Sequence, residues 1–308
     1  MTIATTYTLP FSSPLPGRSD ATVVDLFEQT ADHHESAIAV RQGARTLTYE
    51  QLAAHVNLLA RVFRNAGVET GDVLGINGRS MLSVATVLAV LKTGAAILPL
   101  EPSLTPAERD RLLQISGARA QVMSTEEACT LLPSTAVPHI ARPGSAYVQF
   151  TSDSNGDPKG IVARHGGLSH YTRWQRDTFA IAPGDRVGQL ANWSLEVIIR
   201  EILTPLISGA TLCLPTERSL QASHIFAFAR DCALTILHVV PSLARHWIAD
   251  PTSDLALPAL RTTFFAGEPL TSSLVHSWRQ RVNTTAAVVN LYGSTETTLA
   301  KCHHVTAS

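Results

Sequence analysis

The sequence predicts an α/β fold with mainly parallel sheets flanked by helices. Short apolar runs typical of buried strands alternate along the chain with stretches of helical spacing. Strand, helix and strand in succession is the connection found in parallel sheets. The 308 residues, 45% of them hydrophobic, supply enough apolar surface for two closely packed domains or for one large α/β domain.

The N-terminal segment, residues 1–21, carries three prolines and is interpreted as an extended leader or linker. Apolar residues at helical spacing then predict a helix over 22–31. Two short β-prone runs at 38–40 and 46–49 flank Gly43, so we expect a hairpin there.

A regular alternation of helix and strand is predicted after this hairpin. Residues 50–66 place apolar side chains on one face of a helix, which Gly67 is positioned to stop. The run at 73–76 predicts a short buried strand. Residues 81–93 are almost wholly apolar, which suits a helix enclosed on all sides, and 96–100 suits the next strand.

The same alternation continues to the end of the chain. Thr105 before Pro106 is a good start for a helix over 105–116. A strand is predicted at 120–123, and an apolar run lies at 146–150. Further strands are expected at 186–190, 211–214, 234–240, 262–266 and 286–291, with helices at 196–208, 224–232 and 272–281.

Composition excludes several classes of function. With 24 Lys+Arg against 25 Asp+Glu and no basic stripe, nucleic acid is not an expected partner. No stretch reaches the length of a membrane span, and no signal peptide is recognisable, so a soluble, cytoplasmic protein is expected. The cysteines form no C-x-x-C pair that would indicate a zinc site or a disulfide framework; they are Cys129, Cys213, Cys232 and Cys302.

The segment TSDSNGDPKG, residues 151–160, follows the apolar run 146–150 and closes on a lysine. Residues of these types cluster in ordinary surface turns. They also supply hydroxyl, amide and backbone donors that can hold phosphates, with Lys159 adding a positive charge. Taken alone, the segment leaves both interpretations open.

Five segments, taken in order, resemble the core motifs of the adenylate-forming superfamily, most closely the adenylation domains of nonribosomal peptide synthetases. The resemblance runs from about residue 22 to the end of the chain. The segments are LTYEQL (47–52), LKTGAAILPLEP (91–102), TSDSNGDPKG (151–160), LRTTFFAGEPL (260–270) and NLYGSTETT (290–298).

This resemblance implies two stacked α/β lobes, as in the large N-terminal domain of such enzymes, formed here by 22–308. It implies that an amino or related carboxylic acid reacts with Mg-ATP to give an acyl-adenylate and pyrophosphate, and that the acyl group passes to a carrier-protein thiol. Other synthetase domains, and a small accessory protein, are implied as further partners.

The resemblance also assigns roles to single residues. Lys159, Thr295 and Glu296 are the implied catalytic residues, with Thr295 at the α-phosphate and Glu296 as the magnesium ligand. Tyr292 matches the position that stacks near the adenine. The full set implied to bind ATP is Thr151, Ser152, Ser154, Asn155, Gly156, Lys159, Gly267, Glu268, Asn290, Tyr292, Gly293, Ser294 and Thr295.

The acid substrate is implied to bind a second set of residues, led by Glu196. Glu196 stands where the family has an aspartate that pairs with the substrate ammonium. Arg200 and His238 suit an anionic or strongly polar side chain, unless Arg200 points to solvent and His238 is a packed strand residue. The whole set is Glu196, Val197, Arg200, His238, Phe264, Ala266, Leu291, Leu299 and Ala300.

Two departures from the family keep a second function open. Asp153 and Asn155 replace the glycine and the hydroxyl residue usual in the phosphate loop, and the sequence stops before the ribose-binding aspartate and the C-terminal lid domain. We therefore expect either an incomplete adenylation enzyme or a catalytically degenerate module with a structural or docking role. A CoA ligase is less favoured because the acidic Glu196 occupies the amine-binding position.

Overall fold

The computed structural model describes residues 21–136, 143–152, 158–193, 196–217 and 219–307. Within these residues the chain forms two mainly parallel sheets with helices between and around them. The predicted α/β class with parallel sheets is therefore confirmed. No helix among the described residues is long and apolar enough to cross a bilayer.

Nine α-helices lie in the described residues: α1 (Val23–His33), α2 (Tyr49–Asn65), α3 (Met81–Thr93), α4 (Pro106–Ser116), α5 (His165–Thr178), α6 (Val197–Leu206), α7 (Ala222–Asp231), α8 (Pro241–Ala249) and α9 (Ser272–Arg281). Hydroxyl side chains cap the first four by accepting a bond from the backbone N–H three residues on. The predicted cap at Thr105 is among them, completed by Glu108.

Fourteen strands lie in the same residues: β1 (Ile38–Gln42), β2 (Arg45–Thr48), β3 (Val73–Asn77), β4 (Ala96–Leu100), β5 (Ala120–Ser124), β6 (Cys129–Pro133), β7 (Ser145–Ser152), β8 (Pro158–Arg164), β9 (Arg186–Gly188), β10 (Thr211–Leu214), β11 (Ile236–Val239), β12 (Thr262–Phe265), β13 (Ala287–Tyr292) and β14 (Cys302–Val305).

Each sheet is parallel inside and antiparallel at its edges. The six-stranded sheet has the order β6-β5-β3-β4-β7-β8, and the eight-stranded sheet has the order β14-β13-β12-β11-β9-β10-β1-β2. Strands β6, β8, β14 and β2 are the antiparallel edge strands. The predicted hairpin around Gly43 is the β1–β2 edge, and Gly43 itself has a φ of 60°.

Helix α3 joins the two sheets into one core. Eleven of its thirteen residues are buried, as its nearly continuous apolar sequence predicts. It contacts β3, β4 and β5 of the six-stranded sheet and β1 of the eight-stranded sheet. Residues of both sheets, such as Ile76 and Leu212, therefore belong to a single hydrophobic cluster.

Several elements differ from the prediction. Tyr49 begins α2 instead of ending a strand, because Thr48 caps the helix. Strand β9 ends at Gly188, before the predicted 190, since the following backbone turns to donate to Glu201. The elements that the sequence pattern did not predict are α5, α8, β6, β8 and β14.

Candidate active site

The two ends of the segment predicted to hold phosphates lie in β7 and β8, which pair as an antiparallel hairpin, termed the phosphate hairpin. Thr151 of β7 pairs with Lys159 of β8, and Lys159 is exposed. Ser152 ends β7 opposite the start of β8. The remaining loop residues named from the sequence, Asp153, Ser154, Asn155 and Gly156, lie outside the described residues.

A second group of predicted site residues follows the carboxyl ends of β12 and β13, two of the three neighbouring strands β11, β12 and β13. These strands run parallel, so their carboxyl ends share one edge of the sheet, the usual place for ligands in α/β folds. Gly267 follows β12 with a φ of 90°, a conformation that favours glycine. Asn290 and Tyr292 end β13, and the Tyr292 side chain is 75% exposed. An exposed ring of this kind is free to stack on a ligand.

Glu268 also follows β12, but its carboxylate is already engaged. It accepts hydrogen bonds from the backbone N–H and the hydroxyl of Ser242, at 2.8 Å and 2.6 Å, and lies 3.3 Å from the guanidinium of Arg245. Ser242 lies in the first turn of α8, so Glu268 satisfies the start of that helix. Its side chain therefore ties β12 to α8.

The turn after β13 brings Glu296 close to the phosphate hairpin. Ser294 precedes a short 3₁₀ helix, Thr295–Thr297, that packs against β8. The pKa of the exposed Glu296 carboxyl is lowered by its own backbone N–H, by the Ser294 hydroxyl and by the charge of Lys159. Lys159 and Glu296, which are distant in the chain, thus face the same region.

Gly293 allows the chain to fold back on itself after β13. A Cβ atom at this position would lie 2.5 Å from the Cα of Ala300 and 2.7 Å from the carbonyl oxygen of Leu299. Backbone atoms cannot give way as a flexible side chain can. Only glycine therefore fits between β13 and the returning segment.

Glu196 precedes α6 and is buried, with 8% of its surface exposed. Its Oε1 accepts a short hydrogen bond from the Tyr147 hydroxyl and another, at 3.0 Å, from the backbone N–H of Leu299. Burial raises the pKa of this carboxyl, while bonds from Tyr147, Leu299 and the Thr295 hydroxyl act in the opposite direction. Glu196 thus joins α6 to β7 and to the segment around the 3₁₀ helix.

A cavity of about 370 Å³ opens beside α6, at the carboxyl end of β11. Four of the residues predicted to bind substrate line it: Val197, Arg200, His238 and Ala266. Most of the other lining residues are apolar, and they include Leu190, Val240 and Leu243. This is the size and lining typical of small-molecule sites.

Arg200 is buried in the wall of this cavity. It is 2% exposed, which excludes the alternative that it points to solvent. Its Nε is shielded from water and has no hydrogen-bond partner within the described residues. The nearby groups that its charge influences are Tyr171, Glu196, Glu201 and His238.

His238 is both a packed strand residue and a cavity residue. Its ring stacks on Phe264, with centroids 5.0 Å apart and an angle of 16°. The amide oxygen of Gln175 accepts from Thr204, so its amide nitrogen donates to His238 Nε2 at 3.0 Å. Burial, followed by the charge of Arg200, holds the pKa of His238 well below its usual value. The imidazole is therefore neutral, with an unpaired proton on Nδ1 among the described residues.

The other five residues predicted to bind substrate are not among those that line the cavity. Glu196 lies beside it at the start of α6, and the remaining four pack in the hydrophobic core, where Phe264 forms a second layer behind His238. Leu291 and Phe264 share one cluster, Leu299 belongs to the cluster around α3, and Ala300 packs against both.

Two side chains of the site were missed by the sequence analysis. Tyr147 lies in the apolar run of β7, and nothing in that pattern distinguishes its hydroxyl. Glu201 is fully buried and its Oε2 accepts from the backbone N–H groups of Leu190 and Ala191. The adjacent charges Arg200 and Glu201 inside an otherwise apolar helix were an available signal.

Comparisons with known proteins show the family to which the chain belongs. The family model of the AMP-binding enzymes matches residues 27–144 and 134–308. The chain is 31% identical over 299 residues to a plipastatin synthase of Bacillus subtilis (strain 168), covering 91% of this chain and 12% of that protein. It is 32% identical over 304 residues to tyrocidine synthase 3 of Brevibacillus parabrevis, covering 92% and 5% respectively. The chain thus spans a small part of these relatives.

Solved structures show the same likeness. The crystal structure of the nonribosomal peptide synthetase FmoA3 superposes with a TM-score of 0.82 at 26% identity, covering 96% of this chain and 33% of that chain. An AMPPNP-bound form of FmoA3 gives a TM-score of 0.81 at 26% identity, covering 95% and 33%. The family match, these relatives and the shared fold show that the chain belongs to the AMP-binding enzyme family and is similar to part of the nonribosomal peptide synthetases.

Proposed function

We propose that this chain is the N-terminal core of an amino-acid adenylation domain. It activates an amino or related carboxylic acid with ATP to an acyl-adenylate, which is loaded onto a carrier protein in nonribosomal peptide synthesis. The observation that carries the proposal is the contact between β8, which carries Lys159, and the short 3₁₀ helix that carries Glu296. A cation and a carboxylate so placed suit a nucleoside triphosphate with its magnesium ion.

The exposed groups of the site fit Mg-ATP. Glu296 is exposed and its lowered pKa keeps it ionised at neutral pH, so it offers magnesium a hard oxygen ligand. Magnesium, when bound, neutralises charge on the phosphates. Tyr292 is exposed and free to stack on the adenine. The AMPPNP-bound form of FmoA3 supports nucleotide binding at such a site.

The chain's own residues then orient the two reactants. Lys159 attracts the phosphates, and Thr295 contributes a hydroxyl near the α-phosphate. Asn290, Gly293 and Ser294 shape the wall between them. The side chains proposed to hold the acid are those at α6, with Glu196 as the partner of an ammonium group. Holding the carboxylate in line with the α-phosphorus supplies the proximity on which such a reaction depends.

The proposed partners follow from the relatives. Carrier proteins and other synthetase domains are expected, since the plipastatin synthase and tyrocidine synthase 3 are much longer than this chain. A small accessory protein is a further proposed partner. We propose residues 22–308 as the adenylation core and residues 1–21 as a leader or linker.

Isothermal titration of the chain with Mg-ATP tests the proposal. Binding is expected, and Lys159→Met should weaken it about tenfold or more, because a charge-assisted contact to phosphate is lost. In Glu296→Gln, the affinity for ATP should no longer depend on magnesium and should equal the weaker affinity that the natural chain has for metal-free ATP. Lys301→Met, at an exposed position beyond the motif, is the matched control. A folded chain that gives no heat with any nucleotide defeats the proposal.

The second candidate, a degenerate module that docks other synthetase domains, is favoured by Asp153 and Asn155 in the phosphate loop. An aspartate there adds negative charge to a site for anions. The double reversion Asp153→Gly with Asn155→Thr distinguishes the candidates. Nucleotide binding that appears only in the reverted chain supports degeneration, whereas equal binding in both chains argues against it.

A further inference from the structure

The guanidinium of Arg200 is a buried cation without a paired carboxylate in the described residues. Taking a charge out of water is unfavourable unless the charge is paired. Neither of the acidic residues around it bonds to Arg200, although Oε1 of Glu201 has no hydrogen-bond partner within the described residues. Glu201 points its Oε2 at the backbone after β9. Glu196 points its Oε1 at Tyr147 and Leu299. Arg200 acts on both carboxyls only through its charge, without a hydrogen bond to either.

The other neighbours of Arg200 are neutral. His238 is uncharged, and the nearby Tyr171 hydroxyl keeps its proton because burial raises the pKa of Tyr171. The pKa of Glu201 is raised to about 7 by burial, so this carboxyl holds its proton for part of the time at neutral pH. The positive charge of Arg200 is therefore only partly compensated, and it lies in the wall of an open cavity.

Glu196 and Arg200 are four residues apart on α6, counting the cap, so their side chains leave the same face of the helix. Their Cα atoms are about 6 Å apart along the axis. Arg200 lines the cavity, and Glu196 lies beside the cavity, one turn earlier on the helix. Most of the other residues that line the cavity are apolar; the ionisable ones besides Arg200 and His238 are Glu201, whose carboxyl is partly protonated at neutral pH, and His246.

We propose that the acid activated at this site is an α-amino acid with a carboxylate side chain. Its ammonium group pairs with Glu196 and its side-chain carboxylate pairs with Arg200, with Nδ1–H of His238 as a second donor. This inference rests on the proposed function and specifies its substrate class. The cavity of about 370 Å³ is larger than an aspartate side chain. It therefore admits more than one spacing between the two charged groups.

Equilibrium binding of 5′-O-sulfamoyladenosine conjugates to the chain tests the proposal. The acidic conjugates carry aspartate, glutamate or 2-aminoadipate, and the uncharged ones carry asparagine, glutamine or leucine. At least one acidic conjugate should bind at least about tenfold more tightly than every uncharged conjugate, because a charge-assisted pair replaces a neutral hydrogen bond or an apolar contact. An amide or leucyl conjugate that binds as tightly as every acidic one overturns the proposal.

Arg200→Met keeps much of the side-chain length and removes the charge. The preference for acidic over uncharged conjugates should therefore disappear in this variant. Arg176→Met is the matched control and should keep it, because Arg176 is partly exposed on α5 in an ion pair with Asp177. An acid preference that survives Arg200→Met overturns the proposal. If this variant does not fold, the comparison of conjugates on the natural chain still decides. If neither Mg-ATP nor any conjugate binds, the proposed function fails, and this inference with it.

Discussion

Glu201 makes the stability of the fold depend on pH in a direction that can be measured. This carboxyl is fully buried and its pKa is raised to about 7, from an ordinary value of 4.5, chiefly by desolvation. Hydrogen bonds from Ala191, Gln189 and Leu190, together with the charge of Arg200, only partly offset this effect. Glu201→Gln replaces the ionisable group with a neutral one of nearly the same shape.

The sign of the effect follows from proton linkage. An acid with a raised pKa in the folded state binds more protons there than in the unfolded state, so stability falls as the pH rises through the interval between the two values. For Glu201 this interval runs from 4.5 to about 7. The loss between pH 5 and pH 8 is about 2 to 3 kcal/mol. Glu201→Gln cannot show this loss.

The assay is thermal or urea denaturation of both proteins across pH 5 to 8. The stability of Glu201→Gln relative to the natural chain should rise by about 2 to 3 kcal/mol over this range, a shift of several degrees in the midpoint. Glu126→Gln is the control, because Glu126 is half exposed in its ion pair with Arg45 and should give a nearly constant difference. Parallel pH profiles for Glu201→Gln and the natural chain would refute the reasoning.

Two further substitutions probe the contacts of the site. Gly293→Ala should destabilise the fold by about 1 to 3 kcal/mol, because its Cβ would meet the backbone of Ala300. Gly166→Ala is the control and should not destabilise the fold, because its Cβ would meet nothing within 4 Å. Equal thermal midpoints for the two variants would contradict the predicted clash at Gly293. Tyr147→Phe removes the bond to Glu196 and should raise the pKa of that carboxyl, which weakens the binding of an ammonium-bearing conjugate most at low pH. The low-pH limb of the binding profile should therefore move to higher pH, and an unchanged limb would count against the assigned role of Tyr147.

Local signals were sufficient to predict most of the fold. Thr105 caps α4 and the apolar run of α3 is enclosed by both sheets, each as expected. Helix α5 was missed because polar residues occupy its buried face: Thr172 and Gln175 are both fully buried. They bond to neighbouring groups, so their burial is stable, but they break the apolar period on which the prediction depends.

The candidate site was only partly accessible from sequence. The order of the motifs predicted that 151–160 and 290–298 act together, and the chain brings Lys159 and Glu296 to one region. The environment of Arg200 could not be predicted, because its position in α6 fits a solvent-facing residue as well as a cavity residue. The packing of α6 and α8 over β11 decides which of the nine predicted substrate residues reach the cavity. This packing depends on contacts between residues that are far apart in the sequence.

Helix α3 has a consequence for how the molecule folds. Since its side chains fill the space between the sheets, each sheet lacks part of its interior until the other is present. We therefore expect the part of each lobe that packs on α3 to unfold together with the other lobe. The phosphate hairpin belongs to one sheet and the Glu296 turn to the other, so their mutual placement is as stable as the common core itself.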